Sequence, residues 1–406
     1  MRKVIVVGGG ASGLMSAIWS AKCGNEVILL ESNEKLGKKI YITGKGRCNL
    51  SNYSDVQDFI KNVVSNPKFL FSSLNSFSPH DTYNFFEESG LKLKVERGNR
   101  VFPASDKASD VTKTLEKLLN FYNVKVMLNT KVLSIIEEKG VAKGVKTESE
   151  VIKSDSVIVC TGGISYSSTG STGDGYSFAK NLGHNVVSLV PSLVGLELKG
   201  GDYSSLQGLS LKNVSLSCSL DGSIIHNSFG ELLFTHFGVS GPLILTLSSL
   251  INRKELNNCY ISIDLKPALD EKTLNDRILR DFSENLSKSI INVIPKLVPK
   301  SMSEVVLSRS KIRFDKKCCE ITKEERERLI YTLKNFTFFV RALRPIEEAV
   351  VTAGGVDVKE VNPKTMESKI VKNLFFAGEV LDVDAFTGGY NLQIAFSTGY
   401  IAGNNS

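Results

Sequence analysis

The residues best suited to chemistry stand first near the start of the chain. Gly8, Gly10 and Gly13 fall in G-x-G-x-x-G register, directly after the apolar run KVIVV and before ASGLMSAIWSAK. In that second stretch Leu14, Ala17, Ile18 and Ala21 recur at helical spacing, and Gly24 stops the helix. Each glycine has a task in holding a dinucleotide: Gly8 permits a tight turn, Gly10 lets backbone approach a pyrophosphate, and Gly13 lets the helix sit against the strand. Ala11 and Ser12 open the helix, whose N-terminus offers N–H groups and a positive dipole end to the diphosphate. A second strand, Glu26 to Leu30, ends in Glu31, eighteen residues after Gly13. A carboxylate there, with Ser32 beside it, can accept hydrogen bonds from both ribose hydroxyls of an adenosine. It would repel a 2′-phosphate, so NADP is disfavoured at this position.

The fingerprint alone leaves FAD and NAD open, and the far end of the chain decides between them. The stretch KNLFFAGEVLDVDAFTGGYNLQIAFSTGYIAG reads as a strand Leu374–Ala377, then Gly378 and Glu379. A loop with Asp384 follows, then Gly388–Gly389 and a helix from about Asn391 to Ala402. This is similar to the second FAD signature of two-dinucleotide-binding flavoproteins. There the acid after the strand contacts the ribityl chain, and the following helix points its N-terminus at the flavin pyrimidine ring. Such a helix end stabilises the negative charge that two-electron reduction places near N1 and O2. Gly389, Asn391, Leu392 and Gln393 become the ring-facing candidates. A simple NAD dehydrogenase needs no second nucleotide signature. Between the two ends, SDSVIVCTGG gives a strand Val157–Cys160 and the small turn Thr161, Gly162 and Gly163, which in flavoproteins of this kind passes close to the dinucleotide. Val132, in TKVLSIIEE, stands where that class meets the adenine with backbone, or is a sheet valine only.

The loop KKIYITGKGRCNLSN follows Glu31 and is not a Walker A motif, because position 39 is Lys and Gly46 follows Lys45. It is expected to run along the cofactor from ribose toward flavin. Thr43, Gly44 and Gly46 allow close backbone approach. At least one of Lys38, Lys39, Lys45 and Arg47 is expected to face the diphosphate or the flavin edge. Asn49 can donate and accept at the ring's polar edge. Cys48 has no partner cysteine between Cys23 and Cys160, so a small residue filling space beside the ring is favoured over a redox thiol. Among the histidines, His184 falls at a helix end and His236 at an expected domain junction near the flavin. Ordinary hydrogen bonding is favoured for both over proton donation. His80 and His226 carry no visible context. No catalytic residue and no metal set can be read, and the flavin is expected to carry the electrons itself.

Elements must bring these ends together. The chain has 406 residues, enough for two or three domains. Apolar residues make up 42% and charged residues 23%, an ordinary globular balance. No apolar run reaches the ~18 residues of a membrane-spanning helix. The N-terminus mimics a signal peptide, but its glycines break the apolar segment. Seven scattered cysteines argue against a disulfide framework and for a reducing cytoplasm. Of the net charge of +7, much lies between Lys296 and Lys317, which holds seven basic and two acidic residues. That run reads as a solvated face or as contact with an anionic partner. SLQGLSLKNVSLSCSLDGSIIHNS alternates apolar and polar residues around the hairpin signal Asp221–Gly222. From Asp270 to Lys334 the spacing is helical, interrupted by Pro295 and Pro299.

With these motifs in view, the chain resembles the BaiN/YhiN-like family of FAD-binding flavoproteins, also described as aminoacetone-oxidase-like. KIYITGKGRCNLSN, TGGISYSSTGSTGDGYSFAKNLGH, GELLFTHFGVSGPLIL, EEAVVTAGGVDVKEVNPKTMESK and FFAGEVLDVDAFTGGYNLQIAFSTGY carry the resemblance over nearly the whole chain. Ser167 stands where that pattern has proline. The resemblance implies an α/β, Rossmann-type FAD-binding domain of the two-dinucleotide-binding kind, with an inserted β-barrel-like domain and a small helical domain. The expected boundaries are 1–190 with 345–406, then 191–268 with 335–344, and 269–334. The implied function is an FAD-dependent oxidoreductase acting on a small organic molecule, such as an unsaturated ketone or steroid-like compound. NADH or NADPH is the expected electron donor, bound transiently because no second G-x-G-x-x-G is present. A nucleic-acid-modifying flavoprotein and a non-catalytic FAD-binding protein are the alternatives. Nucleic acid is disfavoured because Phe314 is the lone aromatic in the basic run.

Overall fold

The computed structural model describes residues 1–406, which form two compact units: Met1–Ser192 with Pro345–Ser406, and Leu193–Arg344. In the first unit five strands make one parallel sheet in the order Leu374–Phe376, Ser156–Val159, Lys3–Val7, Glu26–Leu30, Lys125–Met127. The two strands flanking Lys3–Val7 show why. Val4 to Val7, Val27 to Leu30 and Val157 to Val159 are all buried, so these strands are apolar without alternation, as expected where helices cover both faces of a sheet. Burying each such side chain contributes roughly 1.5–3 kcal/mol.

One consequence governs the site. Parallel pairing delivers the C-terminal turns of neighbouring strands to the same sheet edge, where open α/β sheets bind ligands. Gly8, Glu31, Thr161 and Gly378 each follow such a strand end. Backbone bonds tie the turns together: Gly8 N donates to Leu30 O at 2.8 Å, Cys160 N to Val7 O at 2.8 Å and Ala377 N to Val159 O at 3.1 Å.

The final helix, Tyr390–Asn405, packs along the first, Ala11–Lys22. Small residues permit this. A Cβ on Gly399 would meet Ser12 O, and one on Gly403 would meet Ser16 O. Ser16 Oγ donates to Gly399 O at 3.1 Å, so the two ends of the chain share one backbone-close seam.

In the second unit six strands close an antiparallel barrel in the order Leu196–Leu198, Gly238–Ser240, Ser223–Thr235, Ser210–Leu220, Cys259–Asp264, Phe336–Leu343. The hairpin at Asp221–Gly222 forms with φ of 49° and 81°, and Leu220 pairs with Ser223. Helices Glu271–Ser283, Ser303–Arg309 and Lys323–Lys334 share one apolar core with the barrel, through Leu274, Val306 and Leu329. No helix is long and apolar enough to cross a membrane.

Candidate cofactor site

The first helix begins at Gly10, which adopts φ −81° and ψ −170° and is not capped by any side chain. The three fingerprint glycines differ in what surrounds them. A Cβ at Gly8, where φ is +103°, would lie 2.6 Å from Cys160 O, and one at Gly13 would strike Gly8 O. At Gly10 a Cβ would meet nothing within 4 Å. The fold therefore uses Gly8 and Gly13 for its own packing, while Gly10 faces open space at a helix N-terminus.

Glu31 is buried and its carboxylate is fixed by donors. Oε2 accepts from Gly9 N at 2.7 Å, and Oε1 from Asn33 N at 2.8 Å and Asn33 Nδ2 at 2.7 Å. Ser32 Oγ adds a longer bond of 3.2 Å. Asn33 is the residue missed by sequence reading, although an asparagine two positions after an acid is a familiar turn former. It also accepts from Lys38 Nζ at 3.0 Å and donates to Thr169 O at 3.2 Å. Val132 is buried at the start of strand Val132–Glu138. Its approach passes Glu31, since Glu31 N donates to Met127 O and Thr130 N to Glu31 O, both at 2.9 Å.

The segment after Glu31 departs from the expected open loop. Lys38–Ile42 is a short helix, and Thr43–Gly46 a tight turn with left-handed Gly44 and Lys45. Thr43 Oγ1 donates to Lys39 O at 2.8 Å, closing that turn locally. Three of the four cations are committed within the protein. Lys38 pairs with Glu34 at 2.8 Å. Lys39 reaches Glu379 Oε2 and Ser165 Oγ, each at 2.6 Å. Arg47 bridges Glu96 at 2.5 Å and Asp106 at 2.6 Å and lies over the Phe102 ring. Only exposed Lys45 makes no ion pair. The bridging guanidinium holds Glu96 and Asp106 below the usual carboxylate range, with Lys94 the leading cause at Asp106.

Glu379 sits where three segments of the first unit meet. Besides Lys39, it accepts from Thr352 N at 2.8 Å and Ser165 Oγ at 2.9 Å. Gly163 must be glycine here, because a Cβ would strike Thr352 Oγ1 and approach Glu379 to 3.0 Å. Thr352 and Ser165 both lie in the motifs AVVTAGG and TGGISYSS, but nothing in either motif tells which acid they serve.

Gly378, with φ 81°, lies against Ser12, where a Cβ would approach Ser12 Oγ to 2.5 Å. Asp384 is fully buried and accepts from Ser192 Oγ at 2.7 Å, while its backbone oxygen accepts from Val64 N at 2.8 Å. Gly389 caps the last helix with φ 97°, and Asn391 clamps the preceding loop through Ala385 N at 3.0 Å and Ala385 O at 2.7 Å. Leu392 is partly buried on the first turn. Gln393 turns inward: Oε1 accepts from Ser51 Oγ at 2.6 Å and Nε2 donates to Ser397 Oγ at 3.0 Å. Its backbone N–H is also committed, donating to Gly389 O at 3.1 Å.

Trp19 Nε1, Ser54 Oγ, Thr82 Oγ1, Asn49 Oδ1 and Thr161 Oγ1 are buried in this unit without a partner, and the last two stand in the segments expected to meet the cofactor. Buried orphans of this kind cost roughly 1–3 kcal/mol each. Asn49 follows the glycine turn and Thr161 follows a central strand at the ligand edge. With the open face at Gly10 and two uncapped helix starts, these two fit a bound dinucleotide that carries both donors and acceptors.

Cys48 is fully buried at φ 59°, and burial pushes its thiol up to about 12. A neutral, enclosed thiol cannot attack. Iodoacetamide on the folded protein is therefore expected to label Cys23 and Cys319, the two exposed cysteines, and to spare Cys48, Cys160, Cys218, Cys259 and Cys318. Peptide mass mapping checks this, and rapid labelling of Cys48 would contradict it. His184 is buried between Ala179 O at 3.2 Å and Ser368 Oγ at 2.7 Å, and burial lowers its pKa. His236 packs its ring on Phe237 in the second unit.

The family model described as the HI0933-like protein Rossmann domain matches residues 2–405. The chain belongs to this family of FAD-binding oxidoreductases. It is the family whose motifs the sequence resembles. The chain is 32% identical to a 3-dehydro-bile acid delta(4,6)-reductase of Clostridium scindens, over 99% of this chain and 98% of the relative. It is 30% identical to a ribosomal RNA dihydrouridine synthase of Haemophilus influenzae, over 98% and 96% respectively. Among solved structures it shares its fold with the 3-ketosteroid delta1-dehydrogenase of Sterolibacterium denitrificans, at TM-score 0.54 and 13% identity over 100% of this chain and 99% of that one.

Proposed function

We propose that this protein is an FAD-dependent reductase that saturates a carbon–carbon double bond conjugated to a carbonyl. One observation carries the reading: the strand-edge cradle belongs to a chain with curated relatives named for that chemistry. A delta(4,6)-reductase of a 3-oxo steroid acid and a dihydrouridine synthase each add a hydride and a proton across a ring double bond beside a carbonyl. Bound FAD would supply the two-electron exchange. The chain's own residues bind and orient. The first helix start and Gly10 would receive the diphosphate, Glu31 the adenosine ribose, and Thr161 the turn between them. Asn49 and the start of the last helix would meet the polar edge of the ring, where negative charge develops on reduction. Lys39, Ser165 and Thr352 hold Glu379 in place, and Glu379 would contact the ribityl chain.

The proposed electron donor is NADH or NADPH, bound transiently, and the proposed setting is the cytoplasm. The first substrate reading is a small cyclic enone of the steroid kind. The second is the uracil ring within RNA, favoured by the ribosomal-RNA relative and by the basic run Lys296–Lys317. Anaerobic stopped-flow tests the proposal. NADH or NADPH is expected to bleach the flavin within minutes, and a 3-oxo-4-ene steroid or uridine-containing RNA to restore the colour. Failure of both nucleotides to reduce the flavin, or of both acceptors to reoxidise it, would overturn it.

A further inference from the structure

We propose that the free edge of the barrel's longest strand, Ser223–Thr235, pairs with the same edge of a second copy of this chain. Ser210–Leu220 holds that strand along one side, but Gly238–Ser240 covers its other side only at 233–235. From Ser223 to Leu232 the other side faces no strand. Phe234 fixes which backbone groups point there. Its N–H donates to Leu209 O and its carbonyl accepts from Gly208 N, both at 2.9 Å, so Phe234 turns toward the side of Ser210–Leu220. Backbone direction alternates along a strand, so Leu232, Gly230, Ser228 and His226 turn the same way. Asn227 and Phe229 therefore turn their N–H and C=O groups outward.

An open edge is a template for further pairing, and folded proteins blunt it with lysine, proline or short length. Here 223–230 reads SIIHNSFG, with no lysine, carboxylate or proline. Its one irregularity is a bulge at Ile225, where the regular run from Thr235 ends. At Gly230 the inner face is already filled, because a Cβ there would lie 3.2 Å from Leu243. The stretch left for a new strand is 225–229.

The occupant follows from the residues of that stretch. When an antiparallel edge pairs with its own copy about a two-fold axis, residues equally far before and after the centre stand opposite each other. About Asn227, two pairs match. His226 Nε2 and Ser228 Oγ are both buried without a hydrogen-bond partner, and they stand one residue to either side of the centre. Pairing sets His226 of one copy opposite Ser228 of the other, at the roughly 4.5–5.5 Å Cβ separation of facing residues, so each orphan gains a partner. Ile225 and Phe229 stand two residues to either side and are 36% and 61% exposed. The ring of one copy then covers the isoleucine of the other. Glu231 lies beyond the stretch, opposite Ser223, so no like charges meet. An unrelated peptide could use the open N–H and C=O groups but has no reason to match both pairs.

So short a stretch makes a small interface, and the dimer is expected to grow with concentration. Sedimentation velocity of the full-length flavin-loaded protein over a concentration series reads it. Phe229→Lys and Asn227→Pro are each expected to weaken the dimer about 10-fold or more. The Phe229 ring is exposed and the Asn227 N–H faces outward, where an edge strand tolerates proline, so helix content and flavin-to-protein ratio should stay at wild-type values. Asn227→Cys, in a background where the exposed Cys23 and Cys319 are replaced by serine, is expected to cross-link to its own copy through a short bismaleimide. A wild type that stays monomeric at the highest concentration reached, and so leaves the edge to solvent or to a different protein, would overturn the pairing. So would a dimer that survives both Phe229→Lys and Asn227→Pro, or one that Asn227→Cys does not lock.

Discussion

Replacing Gly10 by valine is expected to give a well-folded protein that carries no FAD. The backbone at Gly10, φ −81° and ψ −170°, suits any residue, and a Cβ there meets no protein atom within 4 Å. Stability of the flavin-free form should therefore stay within about 0.5 kcal/mol of the wild type. The space that valine fills is where a diphosphate would approach the helix N-terminus. The branched side chain should weaken FAD binding by about 100-fold or more, or about 3 kcal/mol. The comparison must be between flavin-free forms, because ligand binding itself raises apparent stability. Urea unfolding and the flavin-to-protein ratio check the two halves separately. A valine variant that keeps its flavin would place the diphosphate elsewhere.

Gly389→Ala is expected to behave oppositely and to lose flavin through loss of fold. Gly389 holds φ 97° and ψ −3°, a conformation costly to any residue with a Cβ. The added carbon would run into the Ser51 carbonyl. Ser51 cannot retreat, because it pairs with Val101, and Leu50 N donates to Val101 O at 2.9 Å. Strain and clash together should cost about 3 kcal/mol or more. They would also shift the start of the last helix, on which the reduced ring's charge is proposed to rest. A lowered urea midpoint with an unchanged slope is the expected signature. A variant as stable as the wild type would mean that the Gly389 turn is not constrained as described.

These two glycines show what was legible in the sequence. Short-range patterns fixed the turn after the first strand, the acid after the second and the glycine pair before the last helix, because local backbone sterics set them. The parallel sheet was legible from unbroken β-branched runs, and the barrel hairpin from Asp221–Gly222. Side-chain direction was not. Lys39 and Arg47 sit in one basic segment, yet Lys39 answers to Glu379 and Arg47 to Glu96 and Asp106. Those partners are remote in sequence, and a cation's spacing along the chain carries no information about which acid folds beside it. Gln393 faces the core for a similar reason: Ser51 reaches it only once the short strand Ser51–Asn52 has folded against the last helix. The orphaned atoms of Asn49 and Thr161 were equally invisible, because lacking a partner is a property of packing rather than of residue type.

Titrating flavin-free protein with FAD, then releasing the bound flavin and identifying it by mass, tests the central claim most directly. The account predicts one FAD per chain, with wild-type protein saturating and the Gly10→Val protein remaining empty at the same concentrations. A folded wild-type preparation that stays colourless at saturating FAD, or that retains FMN or NAD in its place, would contradict it.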